Sequence, residues 1–182
     1  EQKSGDNRVS QKDLTISQLK SKNLKKEDTY IRDSEVSWLG DKWLYDLIVP
    51  KVLEANKKAG WNYDIDCYED IQFTKYNSPG GFYGWHKDGS CDWAAVYKRY
   101  IPGITEKEPK KDGSPPNGYT NVHKQVGKVR KLSVTINLSD SEDYEGGLLK
   151  FDNGEHSNNQ YMICNEIKPR GSMIVFPSYT WH

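Results

Sequence analysis

The chain of 182 residues has little sulfur. Its three cysteines, Cys67, Cys91 and Cys164, are far apart and form no Cys-x-x-Cys pair. So sparse and odd a set argues against a disulfide framework or a thiolate zinc cluster, and fits a reducing, cytoplasmic setting. Long apolar runs are missing, so no segment reaches the ~20 residues that a membrane-spanning helix needs. Net charge is missing too, because 26 Lys and Arg balance 26 Asp and Glu. That balance gives no reason to expect nucleic acid or a membrane as partner. The chain opens with neither an initiator Met nor a signal peptide, so a trimmed N-terminus is expected. Histidine is scarce, at four residues, and the position of each therefore carries information.

Aromatic residues are plentiful, with six Trp and twelve Tyr. They favour a β-rich enzyme with a deep pocket. The length suits one compact domain. Residues 1–30 are polar and Lys-rich and read as an arm; residues 31–182 read as the domain. Asp33 or Ser34 can cap a short helix through Leu39, and Asp41 a longer one from Lys42 to about Ala59. Trp43, Leu44, Leu47, Ile48, Val52 and Leu53 give the longer helix an apolar stripe. Pro50 should kink or split it, and Gly60 ends it.

From Trp61 the period changes to two. Ile71–Tyr76 reads as a strand, residues 77–81 as a turn, and Phe82–Asp88 as the returning partner strand. Residues 89–128 read as a long, lid-like loop with a short helix at Trp93–Arg99. Four more strands follow: Lys131–Leu138, Leu148–Phe151, Tyr161–Ile167 and Ser172–Phe176. In the first, Leu132, Val134, Ile136 and Leu138 share one face and Ser133, Thr135 and Asn137 the other. The expected architecture is mainly β with N-terminal helices: a double-stranded β-helix, or cupin-like jelly roll.

His86-Lys87-Asp88 and the distant His182 form the one set with ligand spacing. Two imidazoles and one carboxylate on one face are what a facial-triad iron(II) site requires, leaving the opposite face open. On a strand, His86 and Asp88 project to the same side. Tyr83 and Trp85 then point away from the metal. His123 and His156 lie in Gly/Asn-rich segments without a ligand partner and read as solvated loop residues. His-x-Asp by itself is a weak signal, since a surface strand with alternating polar residues also produces it.

Four blocks add specificity. They are Gln72-Phe-Thr-Lys-Tyr76 followed by Gly81-Phe-Tyr-Gly-Trp-His86-Lys-Asp88; Arg130-Lys-Leu-Ser-Val-Thr-Ile-Asn-Leu-Ser139; Asp143-Tyr-Glu-Gly-Gly-Leu148; and Gly171-Ser-Met-Ile-Val-Phe-Pro-Ser178 with His182. In order and spacing the chain resembles 2-oxoglutarate- and iron(II)-dependent oxygenases of the prolyl 4-hydroxylase-like, PKHD-type group, from about residue 31 onward. The resemblance implies His86, Asp88 and His182 as iron ligands, with Tyr76, Thr135 and Asn137 lining the cosubstrate pocket. It implies Fe(II), 2-oxoglutarate, O2 and ascorbate as cofactors and hydroxylation of a C–H bond with release of succinate and CO2. The substrate is a protein, peptide or small molecule, with peptidyl proline the default by analogy.

The family places an Arg or Lys about ten residues beyond the second His, where it holds the distal carboxylate of 2-oxoglutarate. No residue follows His182, so the domain is expected to be truncated at its C-terminus and to bind 2-oxoglutarate weakly or not at all. Arg130 and Arg170 read as poor substitutes. The nine basic residues of 89–131 and the acidic stretch Asp64, Asp66, Glu69 and Asp70 read as solvated surface. Two rivals remain: a cupin-like iron enzyme that does not use 2-oxoglutarate, and a jelly-roll binding module without catalysis.

Overall fold

The computed structural model describes residues 32–77, 79–89, 96–116, 118–154 and 160–182. The arm at 1–30, Cys91, His156 and the start of the short helix expected at Trp93 lie outside these residues. The elements are β1 (Arg32–Asp33), β2 (Glu35–Leu39), α1 (Lys42–Lys58), β3 (Ile71–Lys75), β4 (Phe82–Tyr83), β5 (Leu132–Ile136), β6 (Lys150–Asp152), β7 (Tyr161–Ile163) and β8 (Met173–Pro177). Short 3-10 turns occupy His123–Gln125 and Asn165–Ile167. The strands pair antiparallel as β1–β4, β2–β3, β5–β8 and β6–β7.

Two local expectations are overturned near the start. The stretch from Asp33 to Leu39 is extended, not helical. All five residues of β2 pair with β3, from Glu35↔Lys75 to Leu39↔Ile71, and Val36 is buried. A capping residue is a local preference, and a full ladder of cross-strand partners outweighs it. The segment after the turn is also not the partner of β3. It keeps only Phe82–Tyr83 as strand, and these pair with β1. Gly81 turns the chain tightly here, its N–H donating to the Asn77 carbonyl at 2.9 Å. A Cβ on Gly81 would sit 2.9 Å from the Asn77 backbone, so a side chain has no room.

α1 runs unbroken through Pro50, against the expected kink. The bond that proline forfeits is the one to the Asp46 carbonyl, and both residues are exposed, so water can serve that carbonyl. Asp41 takes the N-cap position without a side-chain cap bond, and Lys57 and Lys58 complement the dipole at the other end. The apolar stripe is only partly used. Val52 is buried and Leu44 and Ile48 are half-buried, while Trp43, Leu47 and Leu53 are exposed. Buried Asn56 ties the helix to the following chain, exchanging bonds with the Tyr63 N–H (3.0 Å) and carbonyl (2.9 Å).

Residues 96–99 are not helical; Lys98 forms a bridge with Tyr119 instead. The segment expected as one strand at Tyr161–Ile167 stops at Ile163 and turns, because Cys164 and Ile167 swing inward to the core. That core is Phe151, Cys164, Ile167 and Phe176, flanked by Leu149 and Ile174. It lies directly behind the chain's last turn. Among the described residues no helix is long and apolar enough to cross a membrane.

Candidate metal centre

His86 and Asp88 follow β4 in an irregular stretch, so strand alternation is not what aligns them. Local bonds do it instead. The His86 Nδ1 lies 2.8 Å from the Gly84 carbonyl, and His182 Nδ1 lies 2.9 Å from the Thr180 carbonyl. A carbonyl only accepts, so both Nδ1 atoms carry the proton and both Nε2 atoms present a lone pair. The two histidines also exchange backbone bonds, each N–H reaching the other's carbonyl at 3.0 Å. This pair of hydrogen bonds brings the two distant segments together.

The donor atoms converge. His86 Nε2 is 3.4 Å from one Asp88 oxygen, and His182 Nε2 is 3.7 Å from the other. One ligand atom from each of the three residues lies within 4.8 Å of the others. Two neutral imidazoles oriented by backbone carbonyls, with one carboxylate, fit a divalent first-row metal such as iron(II). The walls are aromatic. Tyr83 stacks on His86 at 3.5 Å, and Phe176 meets His182 edge-on at 4.7 Å. Tyr83 therefore does not point away from the centre, as strand parity implied; β4 ends at Tyr83 and the chain bends at Gly84-Trp85. Trp85 does face away, half exposed and 6.2 Å from the Tyr161 ring.

In the metal-free protein burial opposes ionisation of Asp88, but a hydrogen bond from the protonated form of His86, one from Ser133 and the charge of the protonated imidazoles outweigh it and hold the carboxyl at about 2. Burial pushes the His182 imidazole below its ordinary value, against the pull of the Thr180 carbonyl and Asp88. Both shifts make metal-free folding sensitive to acid. Unfolded His182 takes its proton near 6.5 and the folded form resists it, so stability falls once the pH drops below that value. The Asp88 contribution is complete above 3.8 and is lost as the pH falls to about 2. Denaturant midpoints of metal-free protein should therefore fall in two stages. Asp88→Asn should remove the Asp88 share of the lower stage and, by taking away a carboxylate that holds the His182 proton, extend the upper stage to lower pH; a variant whose lower stage was unchanged would contradict this assignment.

Arg130, Glu69 and Ser178 were not foreseen. The Arg130 guanidinium grips Glu69 with two bonds, at 2.7 and 2.6 Å, and donates at 2.5 Å to the Asp88 backbone carbonyl. Ser178 is fully buried; its hydroxyl donates to the Arg130 carbonyl at 2.8 Å and its own carbonyl accepts from Gly89 N–H at 2.8 Å. One brace thus runs from the acidic stretch through Asp88-Gly89 to the turn that carries His182. Glu69 is not a free surface acid, and neither is Asp66, which pairs with Lys128 at 2.6 Å. Arg170 is exposed and pairs with Asp140 at 3.0 Å.

The remaining candidates divide. Tyr76 is half exposed and hydrogen-bonds with Arg32; burial raises its phenol and Arg32 pulls the other way. On β5, Ser133 is buried against Asp88 and Thr135 is half-buried on the same face. The Asn137 amide is engaged elsewhere, by the Lys168 carbonyl at 2.6 Å and the Tyr144 hydroxyl at 3.3 Å. Those two residues line another cavity, of about 300 Å³, whose wall includes none of the three ligands. Comparison with protein-family models, curated proteins and solved structures returned no match.

Proposed function

We propose that this chain is an iron(II)- and 2-oxoglutarate-dependent oxygenase that hydroxylates a C–H bond of a protein, peptide or small-molecule substrate. The observation that carries this reading is the convergence of His86, Asp88 and His182 with both Nε2 lone pairs aimed inward. Bound iron(II) and 2-oxoglutarate would supply the oxidising chemistry, in which decarboxylation to succinate and CO2 is coupled to hydroxylation. His86, Asp88 and His182 would hold the ion, and Ser133 would orient the carboxylate. Phe151, Phe176 and Tyr83 keep water off the imidazole faces, which strengthens polar contacts made there. The proposed architecture is a double-stranded β-helix. The two-way His86–His182 bonds and the 3.0 Å bond from Asp152 N–H to the Trp181 carbonyl support it, because they join the two histidine segments to each other and to β6. The PKHD-like motif order supports the choice of 2-oxoglutarate over a cupin-type reaction, and peptidyl proline is the first substrate to try.

The test is succinate release with iron(II), ascorbate, 2-oxoglutarate and a panel of prolyl peptides and free amino acids. Iron-dependent succinate formation is expected, and His182→Ala should remove it. Succinate no higher than in that variant, with every panel member, would refute the assignment.

A further inference from the structure

Arg32 stands one aromatic ring away from the metal ligands. Its guanidinium carbon lies 4.6 Å above the centre of the Tyr83 ring, and Tyr83 stacks on His86 at 3.5 Å. β1 pairs with β4 so that Arg32 sits opposite Tyr83, which fixes the guanidinium on this side of the site. Its partners are all neutral. Nε donates to Ser34 Oγ at 2.6 Å and Nη2 to Thr74 Oγ1 at 3.0 Å. With its amide oxygen turned inward, Gln72 accepts from both terminal nitrogens, at 2.7 and 2.5 Å. Tyr76 adds its hydroxyl to the same group. Among the described residues no carboxylate pairs with Arg32. The contrast with Arg130 is direct, since that guanidinium is neutralised by Glu69.

Hydrogen bonds to neutral oxygens fix a guanidinium in place but leave its charge whole. A half-buried, uncompensated cation carries a desolvation cost that an anion would offset. The proposed metal adds to the imbalance. A divalent ion held by two neutral imidazoles and one carboxylate keeps a positive charge, and Arg32 sets a second beside it. We infer that Arg32, framed by Tyr76 and Tyr83, supplies the positive charge by which this site favours an acid group on a ligand seated at the metal. The inference rests on the metal-centre reading above and names the chemistry of its ligand. Either the cosubstrate's distal carboxylate or an acid group on the substrate supplies that chemistry.

Calorimetry on the Mn(II)-loaded chain separates the sources. 2-Oxoglutarate is compared with pyruvate, which has the same keto-acid end without the second carboxylate. N-acetyl-L-proline is compared with its amide. The parent should prefer the acid in at least one pair, and Arg32→Gln should weaken that acid roughly 10- to 100-fold while its neutral or shorter partner is unchanged. Arg32→Lys should recover most of the loss, since it restores the charge, and the guanidinium N–H groups are already taken by Ser34, Thr74, Gln72 and Tyr76. A change confined to 2-oxoglutarate assigns the carboxylate to the cosubstrate; one confined to acetylproline assigns it to the substrate. The inference is overturned if the parent prefers neither acid, or if Arg32→Gln weakens pyruvate and the amide as much as the acids. The Mn(II) titration precedes both pairs. Failure of the parent at that step would overturn the metal-centre reading itself, whereas Mn(II) binding without acid preference would overturn the Arg32 assignment alone.

Discussion

His86→Ala is expected to abolish metal binding while leaving the chain folded. The site offers three ligand atoms and no fourth His, Cys or acid joins the group among the described residues. Loss of a residue that merely orients a ligand costs roughly 10- to 100-fold in affinity, so loss of a ligand should exceed about 100-fold. His86 is the better position to test than His182, because His182 also packs against Phe176 and Phe151. Asp88→Asn is the companion variant: it keeps the shape of the carboxylate and removes its charge. Mn(II) titration followed by electron paramagnetic resonance reads the affinity. Thermal unfolding reads the same loss independently. Metal at 100-fold over its dissociation constant stabilises the native state by about 2.7 kcal/mol, and this increment should vanish in both variants. An affinity within a few-fold of the parent would mean that the three residues meet for some other reason.

The convergence of His86, Asp88 and His182 was legible because they alone stand at ligand spacing in the sequence. Few residue types can serve, histidines are scarce, and a Gly-aromatic approach to His86 and a Phe-Pro approach to His182 narrowed the choice. The geometry was less legible. Strand alternation gave the right side for Asp88 for the wrong reason: the chain has left β4, and paired Nδ1–carbonyl bonds set the two rings. Parity consequently misplaced Tyr83. The error at Asp33–Leu39 has a similar origin, since a capping residue is visible locally whereas the pairing of Val36 with Thr74 is not. Arg130, read as a poor carboxylate anchor, Glu69, read as solvated, and Ser178 were misjudged because each is held by a partner far along the chain. Arg130 offered one usable signal, as a cation next to the polar face of β5, where a buried charge would need an acid partner. Glu69 was that partner, hidden in a stretch whose composition suggested solvent.

Phe176→Ala is expected to be the most damaging change outside the ligands. Phe176 is 5% exposed and sits where the core and the candidate metal centre share a wall. Its ring meets Phe151 at 5.0 Å and His182 at 4.7 Å, both nearly edge-to-face. Truncation removes the ring's transfer energy and leaves a cavity, for a cost of about 3–5 kcal/mol. A domain of this size has roughly 5–15 kcal/mol in total, and the core around Phe176 is small, so little is left to absorb the loss. A lower urea midpoint should therefore be accompanied by weaker Mn(II) binding, because His182 loses the surface that holds its ring. Phe176→Leu separates the two effects. It keeps most of the volume and should cost less than about 2 kcal/mol, yet it loses the ring contact that orients the imidazole. The expected pattern is near-parental stability with reduced metal affinity in Phe176→Leu, and loss of both in Phe176→Ala. If Phe176→Ala unfolded at the parental urea concentration, the shared wall would not be supporting either the core or the site. If Phe176→Leu kept full metal affinity, backbone bonding at Thr180 and His86 would be sufficient to hold His182 in place.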